Sequence, residues 1–283
     1  MVKSFWKLNF CVQGTPDATG CYDPIVPAAT ALTFADGLGM VTNRCTGTVI
    51  NTVTPDPSSG NPQLVYVLTA NHCLYVSDGT TRQRAQDAWG YVGATSWDCY
   101  DCVVVADVGV DCHEGWPNGY EDPQTGASQD YAVCTMRVVR QRLMFETLPA
   151  AQLVGGTRPT PTGGITTSAW RIGYPATPPN GDSASGGWRP YYQAVQSFYA
   201  ANGPVSYDNS NFDNADSGGP LFSTSNGAAF TSPGFNSASR FVISVGSVVG
   251  TDMQLTQGPE LSTNNNNAAV TNVRNFADLD QPF

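Results

Sequence analysis

The stretch NADSGGPLF, residues 214–222, sets an acid, a hydroxyl and two glycines together and ends the run with a proline. A serine hydroxyl is a weak nucleophile near neutrality. It needs a base within hydrogen-bond reach, and the base needs an acid that fixes its tautomer. The chain has two histidines. His72 comes straight off the end of an apolar run, LVYVLTANHCL, and is the good base. His113, in DCHEG, reads as a surface-loop residue. Asp130, in SQDYAVCTM, stands just before alternating apolar residues, where a carboxylate can be buried beside an imidazole. Asp107 and Asp111 are rivals, closer to His72 along the chain but in a looser setting. His72, Asp130 and Ser217 then follow one of the three known chain orders of a nucleophilic triad. The chemistry would be acyl transfer through a covalent intermediate. Taken alone, DSGGP is equally a Gly-Pro turn and His72 a core histidine, so the weight lies in the conjunction.

Such a site needs elements that bring distant residues together. LVYVLTA (64–70), CVVVADVGV (102–110), DYAVCTMRVV (130–139) and FVISVGSVVG (241–250) are short runs rich in β-branched residues and read as strands. Asn118-Gly119, Asn180-Gly181, Asn202-Gly203 and Asn226-Gly227 are hairpin-type dipeptides. Helical periodicity is scarce, with one short terminal helix expected over 270–278. Many short strands and frequent turns predict an all-β chain of sandwiches or barrels. RPTPTGG (158–164) reads as a crossover between two halves. His72 and Asp130 fall in the first half and Ser217 in the second, so two barrels meeting at a cleft would assemble the site.

Composition narrows the partners. The chain has 283 residues, enough for a substantial core. Its formal charge of −10 argues against nucleic acid, which needs clustered Lys and Arg. No apolar run is long enough to span a membrane. Eight cysteines suit disulfides and an oxidising compartment, so export is expected, with the targeting signal outside this sequence. Cys45, in CTGTVI, begins a strand-like run and is the natural partner of Cys73. That bridge would anchor the backbone beside His72 and contribute about 3 kcal/mol in the chain-entropy model. Cys99 and Cys102 are the one short pair, with no second pair to complete a zinc site, and no metal is expected.

CTGTVI, LTANHC, QDYAV and DSGGPLF, in this order, resemble the signature blocks of the chymotrypsin–trypsin superfamily of serine endopeptidases. The details are most similar to the secreted bacterial branch that includes lysyl endopeptidases, through TANHC and WGYVGATSWDC (89–99). The resemblance implies two antiparallel six-stranded β-barrels with a short C-terminal helix: an N-terminal disulfide-tethered extension over 1–24, a first barrel over 25–150 and a second over 151–283. It implies a secreted, monomeric endopeptidase acting on polypeptides without a cofactor. His72 would be the base, Asp130 its orienting acid and Ser217 the nucleophile. Ser244 matches a serine that supports the buried acid, and Ser244, Val245 and Gly246 match the strand that pairs with the substrate backbone. Cys21 would bridge to Cys99 or Cys102. The pairing of Cys11, Cys102, Cys112 and Cys134 stays open. Tyr174 stands where the branch has an extra histidine.

The chain also departs from the pattern. The oxyanion hole would use the N–H groups of Ala215 and Ser217, and the family has glycine at the former. Alanine resists left-handed backbone geometry, so a degraded site is one expectation. Asp216 would pair with a freed N-terminal amine in trypsin-type activation, but DPIVPAAT (23–30) makes a poor new terminus. Asn211, at the expected pocket floor, carries no charge, and Asp213, Asp252 or Glu260 could supply an acid from the later wall. Lysine occurs only at Lys3 and Lys7. The competing readings are a catalytically weak protein of the same fold that binds a partner through its cleft, and a structural extracellular domain.

Overall fold

The computed structural model describes residues 6–7, 29–35, 41–53, 63–77, 81–94, 103–108, 110–116, 118–121, 126–140, 152–153, 166–176, 191–199, 205–208, 214–224, 240–246, 248–249, 255–259, 261, 272–273 and 275–276. The first half of the chain contributes β1 (Trp6–Lys7), β2 (Ala29–Ala35), β3 (Val41–Val53), β4 (Leu64–Thr69), β5 (Tyr75–Ser77), β6 (Arg82–Arg84), β7 (Asp87–Val92), β8 (Val103–Val108), β9 (Cys112–Glu114) and β10 (Ala132–Arg140). The second half contributes β11 (Gln152–Leu153), β12 (Thr166–Gly173), β13 (Tyr191–Tyr199), β14 (Val205–Asp208), β15 (Pro220–Thr224), β16 (Arg240–Val245), β17 (Val248–Val249) and β18 (Leu255–Gly258). Asn272, Val273, Asn275 and Phe276 are helical, within the segment where a terminal helix is expected.

The early strands pair into a closed barrel. The hydrogen-bonded path runs β4-β3-β2-β7-β8-β10, and β10 pairs back to β4, from Ala132↔Thr69 to Arg137↔Leu64. Leu32, Val49, Val65, Val67, Val92, Val103 and Val105 are buried and fill it, as branched side chains do in small barrels. Strand β9 is not a further member of the ring. It lies along β10 at Cys134↔Cys112, whereas β8 lies along β10 at Arg137↔Ala106. The two therefore flank successive stretches of one strand, interrupted near Val110, whose φ is 45°. His113, expected in a loop, is thus a strand residue, with its ring stacked on Phe276 at 5.5 Å.

The second sheet follows β11-β16-β15-β12-β13-β14-β18-β17, with β1 added to β13. Among the described residues this path does not close, so the fold is all-β with one closed six-stranded barrel and one large sheet beside it. Ile172, Tyr174, Val245, Leu261 and Val273 join the same core as the first barrel.

Two disulfides lie within the described residues. Cys45–Cys73 ties β3 to the turn after β4, and Cys112–Cys134 crosses between the in-register strands β9 and β10. Cys11, Cys21, Cys99 and Cys102 lie outside the described residues.

Candidate active site

Apolar strand β4 ends at Thr69, and the chain turns through a 3-10 helix over Asn71–Leu74. His72 sits on this turn with its ring at the surface of the core, while Cys73 and Leu74 are buried beneath it. Asp130 follows a second 3-10 turn, Ala127–Gln129, immediately before β10. Because β10 and β4 are neighbours in the barrel, the two turns meet. Asp130 is fully buried and accepts two hydrogen bonds from one residue. The His72 backbone N–H donates to Oδ1 at 2.8 Å, and ring Nδ1 lies 2.7 Å from Oδ2. A carboxylate so placed keeps the proton on Nδ1 and leaves Nε2 as the acceptor. Asp107, the rival acid, is occupied elsewhere: its Oδ2 accepts the backbone N–H of Asp111. Burial raises the Asp107 carboxyl above its ordinary range.

Ser217 lies in the turn that leads from a 3-10 helix, Asn214–Asp216, into β15. The turn is buried and touches the first barrel directly. Thr46 N–H, on β3, donates to Ser217 O at 2.8 Å. Cys73 Sγ lies 3.7 Å from Ser217 O and 3.9 Å from His72 Nε2, so the ring and the serine turn share one neighbour. Cys45, His72 and Cys73 also form a compact ligand-like group. Both sulfurs are spent on each other, however, and the thiolates a metal needs are absent.

Ala215 takes an ordinary backbone conformation, since Val110 is the sole non-glycine at positive φ among the described residues. Alanine at this position therefore costs no left-handed strain in this structure. Positive φ falls instead on Gly218, at 81°, where an added Cβ would overlap Thr69 Oγ1 and Thr46 O.

Asp216 meets a partner that reading the sequence missed. Arg171, on β12, is buried and places Nη1 2.9 Å from Asp216 Oδ2. An internal guanidinium thus stands where trypsin-type activation would bring a terminal amine. Gly173, two residues on, leaves the space that Asp216 occupies, since a Cβ there would overlap its carboxylate. The available signal was a lone arginine inside the strand-like run SAWRIGY.

Glu114 was also missed. Its carboxylate accepts from Tyr75 Oη at 2.7 Å and pairs with Arg84 Nε at 2.6 Å. With the Asn71 amide turned so that its nitrogen faces Glu114, Asn71 donates to Oε2 at 3.2 Å and accepts from Trp116 N–H at 2.9 Å. Glu114 therefore braces both ends of the turn that carries His72. Burial first, and then this carboxylate, push the Tyr75 phenol well above its ordinary value. Tyr75, Trp116 and Tyr120 pack ring on ring around it, with Arg82 over Tyr120 at 4.5 Å.

Ser244 and Val245 end β16 and pair with Leu221 and Pro220, and Gly246 exchanges backbone hydrogen bonds with Gly218 and Gly219. Strand β11 pairs with β16 at Phe241 and Val242. The hydroxyl of Ser244 donates to Val245 O at 3.2 Å. Tyr174 is buried, and its hydroxyl donates to Ala94 O at 3.1 Å. Asn211, Asp213, Asp252 and Glu260 lie outside the described residues.

No protein-family model and no curated protein matches the chain. Solved structures do. The chain is similar to a Glu endopeptidase over 98% of both chains, at 16% identity and TM-score 0.59. It is similar to the protease Anisep from Arthrobacter nicotinovorans over 90% of this chain and 97% of that one, at 16% identity and TM-score 0.57. Human heparin binding protein is similar over 100% of this chain and 98% of its own, at 14% identity and TM-score 0.53. With a closed antiparallel barrel, a second sheet and these likenesses, the fold of this chain is that of the chymotrypsin/trypsin-like serine proteases.

Proposed function

We propose that the chain is a secreted serine endopeptidase that hydrolyses polypeptides through an acyl-enzyme. The observation that carries this reading is the double hydrogen bond from His72 to the buried Asp130, beside the turn that bears Ser217. His72 takes the Ser217 proton as the hydroxyl attacks the scissile carbonyl, then protonates the leaving amine, and water deacylates the serine. The N–H groups of Ala215 and Ser217 hold the oxyanion. Ser244, Val245 and Gly246 align the substrate by strand addition. His72 and Asp130 come from a lobe over 25–150, and Ser217 from a lobe over 151–283. The two disulfides support an oxidising destination, and the chain acts as a monomer without metal or cofactor.

The Arg171–Asp216 pair supports activity without cleavage of a precursor, because the acid before the serine already has its counter-charge. The likeness to human heparin binding protein keeps a second reading alive, a binding domain of the same fold. A fluorophosphonate probe separates the two. Labelling of Ser217 that disappears in His72→Ala supports the enzyme, and folded wild-type protein that stays unlabelled supports the binding domain.

A further inference from the structure

Thr46 follows Cys45 on β3, is fully buried, and uses every hydrogen-bonding group it has. Its N–H donates to Ser217 O at 2.8 Å. Its carbonyl accepts from Thr69 Oγ1 at 2.9 Å, three residues before His72. Its hydroxyl donates to Ala215 O at 2.9 Å and accepts from Tyr174 N–H at 2.8 Å. The backbone bonds need no particular side chain. The hydroxyl bridge needs serine or threonine, because only a hydroxyl donates and accepts at one atom of this size.

These contacts fall on the serine turn. Three successive carbonyls are pinned there: Ala215 O by the Thr46 hydroxyl, Asp216 O by Gly219 N–H at 2.9 Å, and Ser217 O by Thr46 N–H. Peptide planes are rigid, so a pinned carbonyl also fixes the direction of the N–H that shares its plane. Two of the three pins come from one residue of the barrel that bears His72. Loss of the hydroxyl would leave Ala215 O and Tyr174 N–H buried without that partner, a cost that favours rearrangement of the turn.

We infer that Thr46 is a positioning residue for Ser217. Its hydroxyl bridges the serine turn and β12, and so sets where the nucleophile stands relative to His72. This role rests on the acyl-enzyme reading above.

The test compares Thr46→Val, which keeps the shape and removes the hydroxyl, with Thr46→Ser, which keeps the hydroxyl. The wild type is titrated first with the fluorophosphonate. An unlabelled wild type removes the nucleophile and this role with it. Given a labelled wild type, Thr46→Val should label about 10- to 100-fold more slowly, the scale of a misplaced reacting group. On a peptide substrate kcat should fall by the same factor while KM stays within about twofold. Thr46→Ser should recover most of the rate. Folded Thr46→Val labelling at the wild-type rate overturns the inference, and so does a Thr46→Ser variant as slow as Thr46→Val. If Thr46→Val does not fold, Thr46→Ala takes its place with the same expected loss. If neither folds, the hydroxyl is structural and the positioning role is overturned.

Discussion

Asp130 reaches His72 without leaving its own barrel. Strands β10 and β4 are hydrogen-bonded neighbours, the ring of strands closes, and a disulfide clamps the turn beneath the imidazole. Ser217 is held by other means. Its turn leans on Thr46 of the opposite sheet and on a buried ion pair between Asp216 and Arg171. The base is thus fixed by closed topology and a covalent link, and the serine by polar contacts that must remain matched. A covalent link tolerates changes nearby. A buried charge pair does not, because removing one partner strands the other in a medium that solvates it poorly. Damage should therefore be chemical on the histidine side and conformational on the serine side.

The largest effect is expected from Asp130→Asn. The amide fits the same space, but it cannot accept at both of the positions where His72 donates, and it favours the wrong imidazole tautomer. kcat should fall about 10⁴-fold with little change in the unfolding midpoint. A folded variant with near-native turnover would remove Asp130 from its role. The matching cut on the other side is Arg171→Met. It should destabilise the chain by about 3–5 kcal/mol in urea unfolding, and adding Asp216→Asn should recover most of that loss. Arg84→Met serves as the contrast, since Arg84 is 40% exposed where it pairs with Glu114. The exposed pair should contribute less than about 1 kcal/mol. Equal losses from Arg171 and Arg84 would erase the distinction between the two sides.

The disulfides sharpen the same comparison. Removing Cys45–Cys73 by paired alanine substitution frees a loop of sequence separation 28 and should cost about 3–4 kcal/mol. It should also slow labelling of Ser217, because Cys73 Sγ lies against both His72 Nε2 and Ser217 O. Removing Cys112–Cys134, of separation 22, should cost a similar stability, with labelling at the wild-type rate in the folded fraction. Equal labelling losses from the two would show that the first bridge acts on stability alone.

What could be read beforehand follows the same division. LVYVLTA and DYAVCTMRVV appear as β4 and β10 because β-branched runs bounded by turns carry a local signal. FVISVGSVVG appears as β16 and β17, split at Gly246. His72 and Asp130 stand out because each abuts such a strand, and the Cys45–Cys73 pairing followed from the half-cystine beside the histidine. Arg171, Thr46 and Glu114 were not legible. Each acts through a partner far along the chain, and nothing local distinguishes Thr46 from Thr48, the other threonine of CTGTVI. The Cys112–Cys134 bridge was hidden because β9 is three residues long, and its register on β10 is a property of the fold. The alanine at 215 was legible as a departure. Its harmlessness to φ was not, since that depends on the turn it occupies.

The smallest expected effect is an alkaline one, and it probes the junction of the two sides. Tyr174 leaves β12 with its hydroxyl buried against Ala94 O, and burial raises its phenol well above the ordinary value of 10.0. Tyr75, in the cluster around Glu114, is raised by burial and by that carboxylate. Above the ordinary value the unfolded chain has lost these protons and the folded chain still holds them. The folded state then binds more protons, so stability falls as pH rises through that window. The stabilisation is fully present below the unfolded value and is lost toward the raised folded one. Urea midpoints measured from about pH 9 to pH 11 should decline in the wild type, and less steeply in Tyr174→Phe. Tyr75→Phe should flatten the slope to a similar extent, because both folded phenols hold their protons throughout that window. If Tyr75→Phe flattens it more, the weak point at high pH is the brace under His72, and the junction at Tyr174 is the firmer of the two.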